Sequence, residues 1–363
     1  MSNALFSEYT LGSLTLPNRI IMAPMTRCRA IGNVPNELMA EYYAMRADAG
    51  LLITEGTAPC PNGLGYARIP GIYTDEQIEG WKKVTDTVHQ RGGRIFMQLL
   101  HTGRVGHPLN MPKGARIVAP SAITAPGEMF TDQEGPQPHP IPTEMSIDDI
   151  QEAKHSFVQA AKNAITAGCD GIEIHGANGY LVDQFINPGS NKRTDIYGGS
   201  IENRCRFALE VAEAIAKEIG PERTGIRLSP YGVYGGMEMF EEMDATFLHL
   251  ASELATYNLA FIHLVDHSAM GAPDVPNALK ASIKQAFSGT LIECGGMDTA
   301  AAEKILGDEK RADLIGFGRA FISNPDLVER LKHQYPLAKA HSATFYTPGK
   351  EGYLDYPLYT EEH

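Results

Sequence analysis

The stretch RIIMAPMTR, Arg19 to Arg27, begins as a short apolar strand and then turns without a glycine. An open doubly wound sheet normally carries a glycine-rich dinucleotide loop after its first strand, so this stretch argues against that architecture. Seven further β-branched and apolar runs follow: LLITEGT (Leu51 to Thr57), RIFMQLLH (Arg94 to His101), GIEIHG (Gly171 to Gly176), TGIRLSP (Thr224 to Pro230), FIHLVD (Phe261 to Asp266), TLIECGG (Thr290 to Gly296) and LIGFGR (Leu314 to Arg319). Helical patterns separate them. In IENRCRFALEVAEAIAKEI, residues 201–219, the positions Ala208, Val211, Ala212, Ile215 and Ile219 share one face. The segment from Ser146 opens S-I-D-D, a capping-box-like start, and its pattern stops at Gly168, a C′ glycine.

Eight alternating pairs predict a closed (β/α)8 TIM barrel, an α/β fold expected to occupy residues 1–363 as a single domain. Leu5 to Leu16 reads as an N-terminal β-hairpin that caps the barrel bottom. Residues 102–145, rich in Pro and Gly, interrupt the rhythm after the third strand. They are expected to form an inserted excursion at the face where barrel active sites are built.

The formal net charge of −13 disfavours nucleic acid and anionic membrane as partners, since both call for clustered Lys and Arg. No apolar run approaches the ~18 residues needed to span a bilayer, and MSNALFSEYTLG has neither a basic nor an apolar leader region. A cytoplasmic location is the expectation. The cysteines Cys28, Cys60, Cys169, Cys205 and Cys294 are scattered, with no C-x-x-C pair, and suit neither a disulfide framework nor a zinc or iron–sulfur site.

In a barrel, polar residues at the C-terminal strand ends face the active site. Here they are Thr26, Glu55, Gln98, His101, His175, Asn178, Tyr180, Arg227, His263, Asp266 and Arg319. HGANGY, residues 175–180, is the densest, with three hydrogen-bonding side chains at one strand end. His263 and His267 read as structural histidines. The last two turns, ECGGMD (Glu293 to Asp298) and GFGRAF (Gly316 to Phe321), each lead into a helix start. Gly295, Gly296 and Gly318 let backbone N–H groups approach an anion, and Arg319 adds a charge-assisted contact, which together favour a phosphate on a substrate or cofactor. Thr26, Gln98 and Arg227 offer a hydroxyl, an amide and a permanent cation, a set that suits the edge of a flavin.

These residues resemble the old yellow enzyme family of FMN-dependent ene-reductases, close to its N-ethylmaleimide-reductase-like and 12-oxophytodienoate-reductase-like members. The resemblance runs from about Leu5 to Tyr356. It rests on NRIIMAPMTR (Asn18 to Arg27), EYYAMRADAGLLITEGT (Glu41 to Thr57), MQLLHTGR (Met97 to Arg104), GIEIHGANGYLVDQFINPGSNKRTDIYGGSIENR (Gly171 to Arg204), IRLSP (Ile226 to Pro230) and GRAFISNPDL (Gly318 to Leu327). It implies that Thr26 meets the flavin O4/N5 edge, Gln98 the pyrimidine ring and Arg227 the N1/O2 side. Pro24, Met25 and Gly56 would line the isoalloxazine, while Gly295, Gly296, Gly318 and Arg319 hold the phosphate. His175 and Asn178 would hydrogen-bond the substrate carbonyl, and Tyr180 would donate the proton.

The implied reaction is ping-pong. NADPH or NADH reduces FMN at N5, and an α,β-unsaturated carbonyl compound, maleimide or nitroalkene then receives hydride at Cβ and a proton at Cα. Thr26, where a thermophilic-like branch carries cysteine two positions before Cys28, excludes that branch. Leu100, where many members place tryptophan, implies a roomier or differently shaped substrate site, flanked by Tyr66 and Tyr346. The excursion matches the family's capping subdomain in position, and the protein is expected to be a monomer or homodimer. A dienoyl-CoA-reductase type would need a cysteine cluster. A flavin-binding protein with a sensing or storage role, turnover being incidental, is the reading from another class; it would not need a proton donor above the ring. Tyr180→Phe separates the two: flavin binding is expected to survive while enone-driven reoxidation slows sharply, and unchanged reoxidation would remove Tyr180 from the mechanism.

Overall fold

The computed structural model describes residues 4–360. The first three residues, part of the stretch read for a leader, and residues 361–363 lie outside them.

Eight parallel strands close into a barrel: β1 (Ile20–Met22), β2 (Leu51–Ile53), β3 (Ile95–Leu99), β4 (Gly171–Gly176), β5 (Thr224–Leu228), β6 (Phe261–Val265), β7 (Thr290–Cys294) and β8 (Leu314–Phe317). Closure is made by β8 against β1, with Ile315 opposite Ile20, while β3 and β4 pair Gln98 with Glu173. All eight runs read from the sequence become strands, though most are shorter than the runs. Pro24 and Pro230 have no N–H with which to extend a ladder, so β1 and β5 end before them. The expected barrel is therefore present.

A helix follows each strand: α1 (Glu37–Ala44), α2 (Asp75–Gln90), α3 (Ile147–Thr166), α4 (Ile201–Ile219), α5 (Met243–Ala255), α6 (Asn277–Phe287), α7 (Thr299–Lys304) and α8 (Leu327–His333). The caps read from sequence are present at α3. The Ser146 hydroxyl accepts the Asp149 N–H and the Asp149 carboxylate accepts back from Ser146, and Gly168 beyond the helix adopts φ +88. In α4, Ala208, Val211, Ala212 and Ile215 are buried as their spacing requires.

Period-2 alternation sorts the strands' side chains. Ile172, Ile174, Ile226, Leu228, Ile262 and Leu264 join the cluster beneath the helices. Ile21, Leu51, Ile53, Phe96, Phe261, Ile292 and Leu314 form a separate cluster inside the barrel with Leu11 and Leu16. Those two leucines belong to an antiparallel hairpin, Tyr9–Leu11 against Leu14–Leu16, which closes the barrel floor. Above that floor the inward positions turn polar, with Gln98, Glu173, Arg227 and His263 all buried.

The excursion has structure of its own. A hairpin pairs Glu128–Thr131 with Gly135–Pro138, and Val118–Ala119 pairs with Thr143–Glu144 where the chain returns to α3. Its Met129 and Ala125 pack with Val105 against Tyr66 and Tyr180, so the excursion covers the end of β4. Among the described residues no helix is long and apolar enough to cross a membrane.

Leu16 is fully buried in the floor cluster, whereas Leu14 of the same hairpin is only partly buried. Leu16→Ala is expected to lower the unfolding free energy by about 2–5 kcal/mol and Leu14→Ala by clearly less. Chemical denaturation measures both, and equal small losses would show that the hairpin does not seal the barrel.

Candidate active site

The chain leaves β4 at Gly176, and the next N–H, that of Ala177, donates to His175 Nδ1 at 3.3 Å. A neutral imidazole that accepts at Nδ1 carries its proton on Nε2. Neutrality follows from the surroundings: burial, then the nearby charges of Arg227, His263 and His267, hold His175 well below its ordinary range. His175 is therefore a neutral N–H donor.

Asn178 sits in the left-handed region at φ +61, where asparagine is tolerated. Its backbone N–H donates to Ser229 Oγ at 2.9 Å, tying the β4 end to the β5 end. Its Oδ1 lies 2.6 Å from His267 Nε2. A carbonyl oxygen only accepts, so His267 donates, and the Asn178 Nδ2 donors face away from His267. Burial, followed by the charge of Arg227, lowers His267 to about 4. Asp183 grips the same loop by accepting the Gly179 N–H at 2.8 Å.

Tyr180 caps the short helix Leu181–Ile186. Its hydroxyl is 2.9 Å from that of Tyr66, and its ring stands edge-on to His175 with centroids 4.8 Å apart. Burial pushes Tyr180 up to about 12, so it is a neutral acid across the physiological range.

Of the ten residues read as cofactor contacts, seven line one cavity of about 180 Å³: Pro24, Met25, Arg227, Gly295, Gly296, Gly318 and Arg319. Among the described residues Arg227 Nε is buried there without a hydrogen-bond partner, and Nη2 lies 3.9 Å from the Cys294 sulfur. A buried guanidinium N–H without a protein acceptor fits an acceptor on a bound ligand. Gly296 has φ +71, and a Cβ on it would lie 2.7 Å from Ala269 Cβ. Gly318 differs: a Cβ there would meet nothing nearer than the Met25 sulfur at 3.8 Å, so its backbone borders open space. Cation, open backbone and orphaned donor suit a flavin phosphate and its ring.

The sequence profile of the NADH:flavin oxidoreductase / NADH oxidase family matches residues 4–338. The chain belongs to this family. It is a member of the old yellow enzyme family, as the sequence resemblance implied. It is 40% identical to 12-oxophytodienoate reductase 7 of Oryza sativa subsp. japonica, over 98% of this chain and 94% of that protein. A probable flavin mononucleotide-dependent alkene reductase of Leishmania infantum is 41% identical over 96% of this chain and 95% of its own. The solved structure of morphinone reductase superposes with a TM-score of 0.95 at 43% identity, covering 100% of this chain and 98% of that one.

Asp266 also lines that cavity, while other strand-end residues of this old yellow enzyme family member go elsewhere. Thr26, Gly56 and Gln98 lie outside the lining of that cavity. Leu100 is buried against Gly56, where a Cβ would meet Leu100 Cδ2 at 2.4 Å, and Gln98 Nε2 donates to Glu173 at 2.8 Å. Tyr66 and Tyr346 line a second, more apolar cavity of about 520 Å³ under the excursion, with Tyr346 at its exposed rim. Glu55 accepts the Arg27 N–H at 3.3 Å, and Asp266 pairs with Lys280 at 2.7 Å. His101 lines a third cavity beside Asn62 and Arg116. Cys28 is buried and its thiol is pushed up to about 12 by that burial, which fits a structural role.

Two residues gain roles that the sequence reading did not assign. His267, read as structural, holds Asn178, and Glu173, two residues before His175, is inward and fully buried. The parity of GIEIH carried the second signal, since residues at i and i−2 of a strand share a face.

The glycine geometry makes a contrast. Gly296→Ala is expected to cost about 1–3 kcal/mol of stability, because Ala at positive φ is strained. Gly318→Ala is expected to change it by less than ~0.5 kcal/mol. Denaturation of the ligand-free chain tests both, and equal costs would contradict the open space at Gly318.

Proposed function

We propose that this chain is an FMN-dependent NAD(P)H oxidoreductase, an ene-reductase that saturates the activated C=C bond of α,β-unsaturated carbonyl compounds. The same chemistry would extend to maleimides and nitroalkenes. The observation that carries the proposal is the placement within six residues at the end of β4 of two neutral donors, His175 Nε2–H and Asn178 Nδ2–H, and the protonated phenol of Tyr180, whose ring stands edge-on to His175. Family membership and the printed names of the alkene, oxophytodienoate and morphinone reductases support it.

Arg319 and the backbone of Gly295, Gly296 and Gly318 would hold the FMN phosphate, with Arg227 beside N1 and O2, Thr26 near O4 and N5, and Gln98 on the pyrimidine ring. When bound, the flavin supplies hydride, taken from NADPH or NADH and passed to the substrate Cβ. The chain does the rest. As negative charge grows on the substrate oxygen, His175 and Asn178 stabilise it more than they do the ground-state carbonyl, each by about 3 kcal/mol where the hydrogen bond is strong. Because both are neutral and their acceptor sides are already engaged, they stabilise the anion without donating a proton to it. Tyr180 protonates Cα, and Tyr66, hydrogen-bonded to it, stabilises the phenolate left behind. The excursion, packed on Tyr66 and Tyr180 through Met129, keeps water from the acid.

The alternative, flavin storage or sensing, is disfavoured by the partly buried, uncharged Tyr180 beside the carbonyl donors. An anaerobic absorption series tests the proposal: the holoprotein should bleach with limiting NADPH and regain its flavin spectrum on adding 2-cyclohexenone. Persistent bleaching would reject the acceptor, and a chain that takes up no FMN would reject the whole reading. With Tyr180 at about 12, its proton is present throughout the range below, so the rate of enone-driven reoxidation should stay flat from pH 6 to about 10 and fall only as pH approaches 12. Stopped-flow pH profiles check this, and an inflection near 7 would implicate a different acid.

A further inference from the structure

Beneath these donors lies a buried polar layer of which the mechanism uses only Gln98. Glu173 is fully buried; its Oε1 accepts Gln98 Nε2–H at 2.8 Å and its Oε2 accepts His263 Nδ1–H at 2.7 Å. The three side chains come from β4, β3 and β6. Gln98 is the direct register neighbour of Glu173. His263 reaches Glu173 across β5 because the β5 residue opposite Glu173 is Gly225, which has no side chain to intervene. Burial alone would lower His263, but the Glu173 carboxylate outweighs it and holds the ring above its ordinary range. The pair is thus a buried ion pair, with His263 Nε2 left without a hydrogen bond. Such a pair contributes little net stability against apolar side chains of similar volume, so its use lies in what it orients.

An ionised carboxylate can only accept hydrogen bonds. Glu173 therefore selects which end of the Gln98 amide faces it: the NH2 group. Oε1 of Gln98 is left on the other side as an acceptor. The pyrimidine edge of a flavin presents one donor, N3–H, between two carbonyl oxygens. With its amide reversed, Gln98 would set a donor against that donor.

We propose that Glu173, held by His263, is a positioning residue that locks Gln98 with its acceptor toward flavin N3–H. This rests on the flavin reading above. The test is a double-mutant cycle on the flavin-free full chain, with FMN binding read by fluorescence quenching for the wild type, Glu173→Gln, Gln98→Ala and the double variant. Glu173→Gln is expected to weaken FMN about tenfold in the wild-type background, as for loss of one charge-dependent orientation, and to have almost no further effect once Gln98 is alanine. Equal losses in both backgrounds would mean a general packing role and overturn the proposal. Should Glu173→Gln not fold, the wild type is titrated with 3-methyl-FMN, which lacks the N3 proton. Binding at least tenfold weaker than FMN supports the locked acceptor, and equal binding overturns it. A wild-type chain that binds neither flavin overturns the functional reading itself, an outcome distinct from either.

Discussion

A closed barrel gives its inward side chains no route to water, so every polar group placed inside must be satisfied by another side chain or by a ligand. The floor meets this constraint with apolar residues alone, Leu11 and Leu16 of the hairpin packing on Ile21, Phe96 and Phe261. One layer higher, Gln98, Glu173 and His263 bond one another, with His263 Nε2 left over. At the strand ends Arg227 keeps a buried Nε–H with no acceptor among the described residues. Apolar and mutually bonded levels thus give way, toward the mouth, to donors that the protein leaves unpaired.

The three residues proposed to react share a second property: each is prepared by a bond on its far side. His175 accepts from Ala177 and so carries its proton on Nε2. Asn178 accepts from His267 and so turns its amide donors away from that ring. Tyr180 shares a hydrogen bond with Tyr66. Burial keeps the histidine neutral and the tyrosine protonated. In the proposed reaction, such prior arrangement would let the groups stabilise developing charge without reorganising as it forms.

Much of this was legible in the order of residues. The eight strands, the capping box at Ser146, the hairpin and the place of the excursion follow from local pattern, because side-chain parity and cap chemistry act within a few residues. The cluster at His175, Asn178 and Tyr180 was visible because one strand end supplies it all. His267, read as structural, has a partner the sequence does not reveal: it bonds Asn178 from 89 residues further along the chain. Glu55 and His101 were strand-end residues like the others, yet Glu55 accepts the Arg27 N–H and His101 lines a separate cavity, contacts that strand position alone does not reveal.

The sequence by itself determined the periodic elements, the family and the chemical types at each strand end, since these depend on neighbours along the chain. Tertiary structure alone decided protonation and direction: which histidine nitrogen bears hydrogen, which way Asn178 and Gln98 turn, and which arginine N–H is left for a ligand. Those depend on acceptors brought from other strands and on the depth of burial, and both arise only when the barrel closes.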